Sequence, residues 1–454
     1  MLNFFTTATT NLTHKIIVLV GMSLLSSIPL GLVMNMTSDR EYLYHDVVNE
    51  IGRSWGEQQR IAGPALVLPY SYEVVQEKID DEGYTVKIKS SFQDELVILP
   101  KVLDLDMDLA HDFRSRGIYQ SLVYSTTVSG RAKFVIPEIK IPNLISLEAE
   151  SARLVFGISA NQAIEKIESF EVTSSKTASS NINTVGDIMP GTGLPQQPGL
   201  ERGFHLPIDL GLDLNLNQTQ FNVDFAIQLR GSQAISALPL GEQTNISISS
   251  DWPHPSFNGL LPTSREITDT GFKASWQISH LTRNYPQVFT KQLEINLTEV
   301  EASTALFEPV THYGKVERSV KYGMLFIALT FIVLLIFELS QQSSLSLVQY
   351  LLVGCAVTLF YLLLLSLSEH LAFAQAYMIA ASIPVLSISP YVASATASMR
   401  KGGIIAAMLV CLYAVLYSIL RLEDFALLMG TGLLLIALLV LMFITRHKSL
   451  HCEI

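Results

Sequence analysis

Residues 35–321 of this 454-residue chain contain no cysteine, and Cys355, Cys411 and Cys452 all lie in the last third. No disulfide can staple the middle region, and no thiolate metal site can form in it. About 280 residues can bury an adequate core without one. Charge is scarce elsewhere. Residues 322–454 hold only the bases Arg400, Lys401, Arg421, Arg446 and Lys448 and the acids Glu338, Glu369, Glu423, Asp424 and Glu453, and residues 1–34 hold only Lys15. The middle therefore carries 24 basic and 36 acidic side chains, a net of −12. A basic surplus is lacking, which argues against nucleic acid or anionic lipid as the middle region's partner. There is no G-x-S-x-G, H-E-x-x-H or Walker string and no zinc-spaced Cys/His cluster. Gly191–Thr192–Gly193 is not a nucleotide loop, because no helical pattern with a lysine follows it. These absences point to a protein that is not an enzyme and needs no cofactor or metal.

What is present is apolar length. Mean hydropathy is +0.35 with 16% charged residues, too apolar for an ordinary soluble chain. Gln349–His370 runs apolar for about twenty residues, enough to cross a roughly 30 Å hydrocarbon core. Ile16–Met34 is a similar run with Pro29 inside it, followed by a poor cleavage site, and is read as an uncleaved anchor. Further helices are expected near 322–339, 347–368, 371–391, 403–420 and 425–444, giving six spans, with Pro384 and Pro390 breaking the fourth. The fold class is thus an integral membrane α-helical protein with a large, mainly antiparallel β extracytoplasmic domain.

Between the anchor and the helical block the period changes. Ser38–Asp39 resembles a helix cap, and Leu43, Val47, Val48, Ile51 and Trp55 recur at helical spacing, so 38–62 is expected to be an amphipathic helix ended by Gly63–Pro64. Strict alternation follows in Tyr84–Ile88, Leu103–Leu109, Leu210–Leu216, Phe221–Leu229 and Phe272–Ile278, the mark of strands with one wet face. Asp80–Gly83 reads as a turn, and Leu210–Leu216 and Phe221–Leu229 as two arms of a hairpin. The Ser/Gly/Pro-rich stretch 174–199 is expected to link two β lobes, 64–172 and 200–310, in a domain spanning 64–321.

The positive-inside rule orients the chain. With the tails 1–15 and 445–454 both cytoplasmic, Lys15, Arg400–Lys401 and Arg446–Lys448 fall inside and Glu369 and Arg421–Asp424 outside. The acidic β domain then stands outside, in the periplasm of a bacterium, although Lys315, Arg318 and Lys321 flank the second span on that side.

Three places could carry function. Glu338 ends its apolar run and could carry a proton or ion; an interfacial charge marking the helix end is the preferred reading. Glu369–His370, in a tight turn, could sense pH or touch a metal, but no third ligand is near in sequence and solvation of a hairpin is preferred. In Asp251–Trp252–Pro253–His254–Pro255–Ser256–Phe257 two prolines enforce a rigid, unpaired geometry. Trp252, His254 and Phe257 could form a binding lip, or plug the end of a sandwich.

Ser54–Trp55–Gly56 with Gln59, Gly63–Pro64, Pro69–Tyr70, Arg116–Gly117–Ile118–Tyr119, Pro190–Gly191–Thr192–Gly193–Leu194, the Asp251–Phe257 string with Leu261–Pro262 and Arg265, and then Lys321–Tyr322–Gly323, Phe337–Glu338 and Gln349–Gly354 through Ser368–Glu369–His370 together resemble the CreD family of bacterial inner-membrane proteins. The matches stand in family order over residues 54–370. One departure is Ser159–Ala160–Asn161–Gln162, where the family pattern has an acid and an arginine. The resemblance implies a cell-envelope integrity protein under two-component control, connected with envelope stress and colicin tolerance. With the acidic β domain held at the bilayer between two anchors, the expected partners are the lipid bilayer and an envelope protein, lipid or cell-wall component. It supplies no catalytic residues. A small-solute transporter or channel subunit with a receptor domain is the rival reading.

Overall fold

The structure, a computed structural model, describes residues 12–79, 85–174, 183–184, 187–210, 220–306, 312–341, 346–421 and 426–445. The expected turn at Asp80–Gly83, the strand after Leu210, part of the 174–199 stretch, both distal tails, and Glu423, Asp424, Arg446 and Lys448 lie outside the described residues. The chain divides into a helical unit, Met1–Asp46 with Val310–Ile454, and a β unit, Val47–Pro309.

Helix α1 (Leu12–Trp55) contributes to both units and contains Pro29. The expected cap at Ser38–Asp39 is not one: the helix runs through it, and a strand begins at Gln59, so the amphipathic segment stops short of 62. Gly63–Pro64 sits inside that strand, at a register shift against its neighbour.

The β unit is two sheets around one apolar core. The first is built on the strand Gln59–Ile79, which pairs antiparallel with Thr85–Ile98 and Ala152–Ile158 and parallel with Ala234–Ala237. Beyond it, Ala302–Leu306 and then Pro255–Gly259 complete that side. The second sheet runs in the order Ser264–Thr268, Gly271–Ser279, Gln243–Ser250, Val102–Arg116, Tyr119–Val135, Gln220–Ser232, Ile164–Ser174. Its one parallel pair joins Val102–Leu109 to Gln243–Ser250. Both sheets draw strands from either side of residues 174–199, so the two halves of the sequence do not form separate lobes. The expected hairpin partner of Phe221–Leu229 is also replaced. Both of that strand's edges are taken, by Tyr119–Val135 and by Ile164–Ser174.

Alternation places the core. Leu103, Leu105, Met107 and Leu109 are buried, while Asp106 and Asp108 are exposed; each such burial is worth about 2 kcal/mol relative to exposure. Phe221, Val223, Phe225, Ile227 and Leu229 do the same from the next strand but one. Gly130 lies between them: a Cβ there would meet Phe225 Cζ and the Asp104 carbonyl oxygen at 2.6 Å. Ile88 departs from the expectation and is 43% exposed on its strand.

The helical unit adds α2 (His312–Lys321), α3 (Gly323–Gln341), α4 (Leu347–Ser368), α5 (Phe373–Ala395), α6 (Met399–Arg421) and α7 (Ala426–Thr445). Helix α2 was expected to be the end of the β domain; it belongs instead to the helical unit. Pro384 and Pro390 do not break α5, since each removes one backbone bond from a ladder of 23 residues. Among the described residues four helices are long and apolar enough to cross a membrane (α1, α4, α5 and α6), and a fifth crossing arises if α2 and α3, bent by 48°, count as one. Six are thus not reached on this measure. Small residues set the close approaches. A Cβ on Gly354 of α4 would meet Ser26 Oγ of α1 at 2.9 Å, and one on Gly402 of α6 would meet Ala393 Cβ of α5 at 2.6 Å.

Candidate functional site

The Asp251–Phe257 string leads from the end of a second-sheet strand to Pro255–Gly259 at the edge of the first sheet. Asp251 follows the strand Gln243–Ser250, and its Oδ1 lies 2.6 Å from His111 Nδ1 and accepts the His111 backbone N–H at 3.2 Å. Burial pushes the Asp251 carboxyl up, but the His111 hydrogen bonds outweigh it and hold the group below the ordinary aspartate range. That contact turns Trp252 onto the neighbouring strand. Its ring centroid is 5.3 Å from His111, 6.0 Å from Phe113 and 5.8 Å from His254. Trp252 is half-buried against the core, whereas Phe113 is 41% exposed and His254 is exposed. The result is a partly open aromatic and imidazole lip with a carboxylate at its base.

Phe257 does not join the lip. Pro255–Gly259 is an edge strand, so the prolines do not forbid pairing: Pro255 opens the strand, where a missing N–H is tolerated. That strand carries the Phe257 ring to Phe272 at 6.0 Å and Trp276 at 5.9 Å. Trp276 Nε1 in turn donates to the Leu260 carbonyl at 2.8 Å. Arg265 sits on the exposed edge strand Ser264–Thr268.

In the helical unit Glu338, near the end of α3, is packed against α4 rather than solvated. It is 3% exposed, and Tyr350 Oη of α4 donates to its Oε2 at 2.8 Å. The start of α4 is fixed alongside, where Gln349 Oε1 accepts the Ser346 backbone N–H at 2.8 Å. Glu369 faces Arg40 of α1, with Nε to Oε1 at 3.5 Å. His370 is exposed and its backbone N–H closes the end of α4 on the Leu367 carbonyl. Among the described residues no group of three or more His, Cys, Asp or Glu side chains could hold a metal ion.

Sequence reasoning missed several residues. His111 and Phe113 come to Trp252 only through sheet order, although alternation visibly lapses after Leu109. Trp55 has the guanidiniums of Arg114 at 4.3 Å and Arg230 at 4.9 Å from its ring, a pair of cation–π contacts that ties the end of α1 to strands of the β unit. Phe360, Tyr361, Tyr377, Tyr413 and Tyr417 form an aromatic cluster across α4, α5 and α6, with Tyr377 Oη donating to the Tyr413 carbonyl at 2.7 Å.

Comparison with known proteins adds two findings. The family model described as "Inner membrane protein CreD" matches residues 11–450. The Inner membrane protein CreD of Escherichia coli (strain K12) is 31% identical over 435 residues, which cover 95% of this chain and 92% of that protein.

Proposed function

This chain belongs to the CreD family of inner-membrane proteins, and from that premise we propose that it maintains the cell envelope without catalysing a reaction, its β unit binding an envelope component or partner protein in the periplasm. Six crossings with both termini cytoplasmic complete the proposal: the spans α1, α4, α5 and α6, the bent pair α2–α3, and α7. The inside–outside distribution of Lys15, Arg400, Lys401 and Glu369 supports that orientation. A role in envelope stress and colicin tolerance, under a two-component system, is proposed on family membership alone.

The observation that carries the binding role is the Trp252 lip. An aromatic ring with three ring neighbours, of which Phe113 is 41% exposed and His254 exposed, is the kind of anchor that dominates recognition surfaces. In living cells, a photocrosslinking residue at Phe113 or His254 should capture one envelope component, and Trp252→Ala should abolish both capture and envelope protection while leaving membrane insertion intact. Full protection by a well-expressed Trp252→Ala/Phe113→Ala double variant refutes the lip.

Buried Glu338 favours the second reading, a transporter or channel subunit. Under that reading Glu338→Gln abolishes function in a correctly folded protein; under the first it leaves function intact.

A further inference from the structure

A groove of about 540 Å³ runs between α5 and α6, lined by Ala374, Tyr377, Ala381 and Leu386 on one side and by Tyr413 and Tyr417 on the other. Both helices are membrane spans by length and apolarity. Its α5 wall, Ala374 to Leu386, is twelve helical steps or about 18 Å long, close to the roughly 15 Å depth of one leaflet's hydrocarbon. The rim is apolar and open, with Met378 at 64% and Leu386 at 71% exposure.

The mouth has a different chemistry. Phe373, at the start of α5, lies 6.1 Å from Tyr377, and Lys315 Nζ of α2 stands 5.8 Å over the Phe373 ring. Nearby acids already have cations: Glu317 holds Lys321 at 2.9 Å and Glu369 holds Arg40 at 3.5 Å. Among the described residues Lys315 makes no ion pair. Helix α2 itself carries Lys315, Arg318 and Lys321 against the single acid Glu317, a basic segment in a chain whose middle is acidic. An apolar groove one leaflet deep, with aromatic rings at its top and a cation above them, matches an amphiphile with one negative headgroup.

We propose that the α5–α6 groove binds one anionic phospholipid, its acyl chain along Ala374–Leu386 and its phosphate at Lys315. The phosphate gains an ionic partner at the membrane surface, and the chain fills the groove between α5 and α6. Headgroup selection rests on Lys315 and chain retention on the groove walls, so the two can be separated.

The test uses the purified full-length chain in nanodiscs containing either phosphatidylglycerol or phosphatidylcholine with a diazirine in the acyl chain, crosslinked and mapped by peptide mass spectrometry. Phosphatidylglycerol should label residues 374–386 and 410–417 at least fivefold more than phosphatidylcholine. Lys315→Gln should reduce labelling by phosphatidylglycerol to the phosphatidylcholine level, and Ala381→Trp, which fills the groove, should cut labelling by either lipid about tenfold. Equal labelling of the wild-type chain by both lipids, or labelling that Lys315→Gln leaves unchanged, overturns the proposal. Those two measurements do not depend on the folding of the Ala381→Trp variant.

Discussion

The β unit hides its apolar residues on one face of each strand, whereas the helical unit shows apolar residues on nearly every side of its helices. Leu103–Leu109 can be divided into core and solvent by alternation alone. Helix α4 cannot. Tyr350, Gly354, Val357, Tyr361, Leu364 and Ser368 face inward, but Leu352 and Leu359, about half exposed, face outward with the same hydropathy. Lipid is as apolar as a protein interior, so hydrophobicity stops distinguishing inside from outside. In such a helix the inward face is betrayed by what lipid would reject or what close packing needs: Glu338, Tyr350, Thr358, Gly354. In the β unit, polar groups can instead be half-buried if they come as sets. Arg153 grips both oxygens of Glu95 at 2.7 and 2.8 Å while Lys291 approaches at 3.0 Å.

That contrast can be attacked by mutation, and the tryptophans help, because Trp55, Trp252 and Trp276 all belong to the β unit and their fluorescence reports its unfolding. The largest loss should come from Phe156→Ala. Phe156 is fully buried and packs on Phe204 and Phe225 at 5.5 and 4.9 Å, so truncation should cost about 3–5 kcal/mol in denaturant unfolding of the detergent-solubilised chain. A loss under 1 kcal/mol would show that the two sheets do not share a tightly packed core.

Glu95→Gln should cost about 2 kcal/mol at neutral pH, read the same way. Burial raises the Glu95 carboxyl, but Arg153 and Lys291 lower it further and prevail. A depressed folded value means the stabilisation is fully present above the ordinary glutamate range and fades as pH falls through the folded value. The gap between wild type and variant should therefore close on acidification; a gap that widens there contradicts the ion-pair account.

In the helical unit, Tyr350→Phe removes a donor from buried Glu338 and should lower stability by about 1 kcal/mol, seen as a drop in Tm by circular dichroism. The smallest effect belongs to Leu359→Ala, on the outward face of α4, at within about 0.5 kcal/mol. If Leu359→Ala were the costlier of the two, the inward and outward faces of α4 would have to be exchanged.

Much of the fold was legible where residue pattern and environment coincide. The strands Val102–Arg116 and Gly271–Ser279 announce themselves by alternation, and the apolar runs after residue 321 mark helices α3 to α7 to within a few residues. The expected division into lobes 64–172 and 200–310 gives way to two sheets around one core, because a Ser/Gly/Pro-rich stretch looks the same whether it joins two domains or only two strands. Helix α2 could have been found: Tyr313, Val316 and Val320, all buried, stand at helical spacing inside a polar segment. Of the lip, Trp252 and His254 stood out as a string, but His111 is 140 residues from Asp251, and only strand order brings them together. Arg40 and Glu369 are likewise far apart in sequence, and only the packing of α1 beside α4 brings them together.

The parallel pairing of Val102–Leu109 with Gln243–Ser250 has a consequence for biosynthesis. Asp104 must wait for Asn245, made 141 residues later, before its strand acquires a second neighbour on that edge. In the first sheet, Ala234–Ala237 receives its antiparallel partner only with Ala302–Leu306, the last strand before α2. Such long-range closure is slow, since loop entropy is spent before contacts reward it. During synthesis the strand Val102–Arg116 therefore exposes an unpaired edge until a partner 141 residues further along has been made. A chain stopped anywhere before residue 302 should be readily degraded by proteases, however sound its first span.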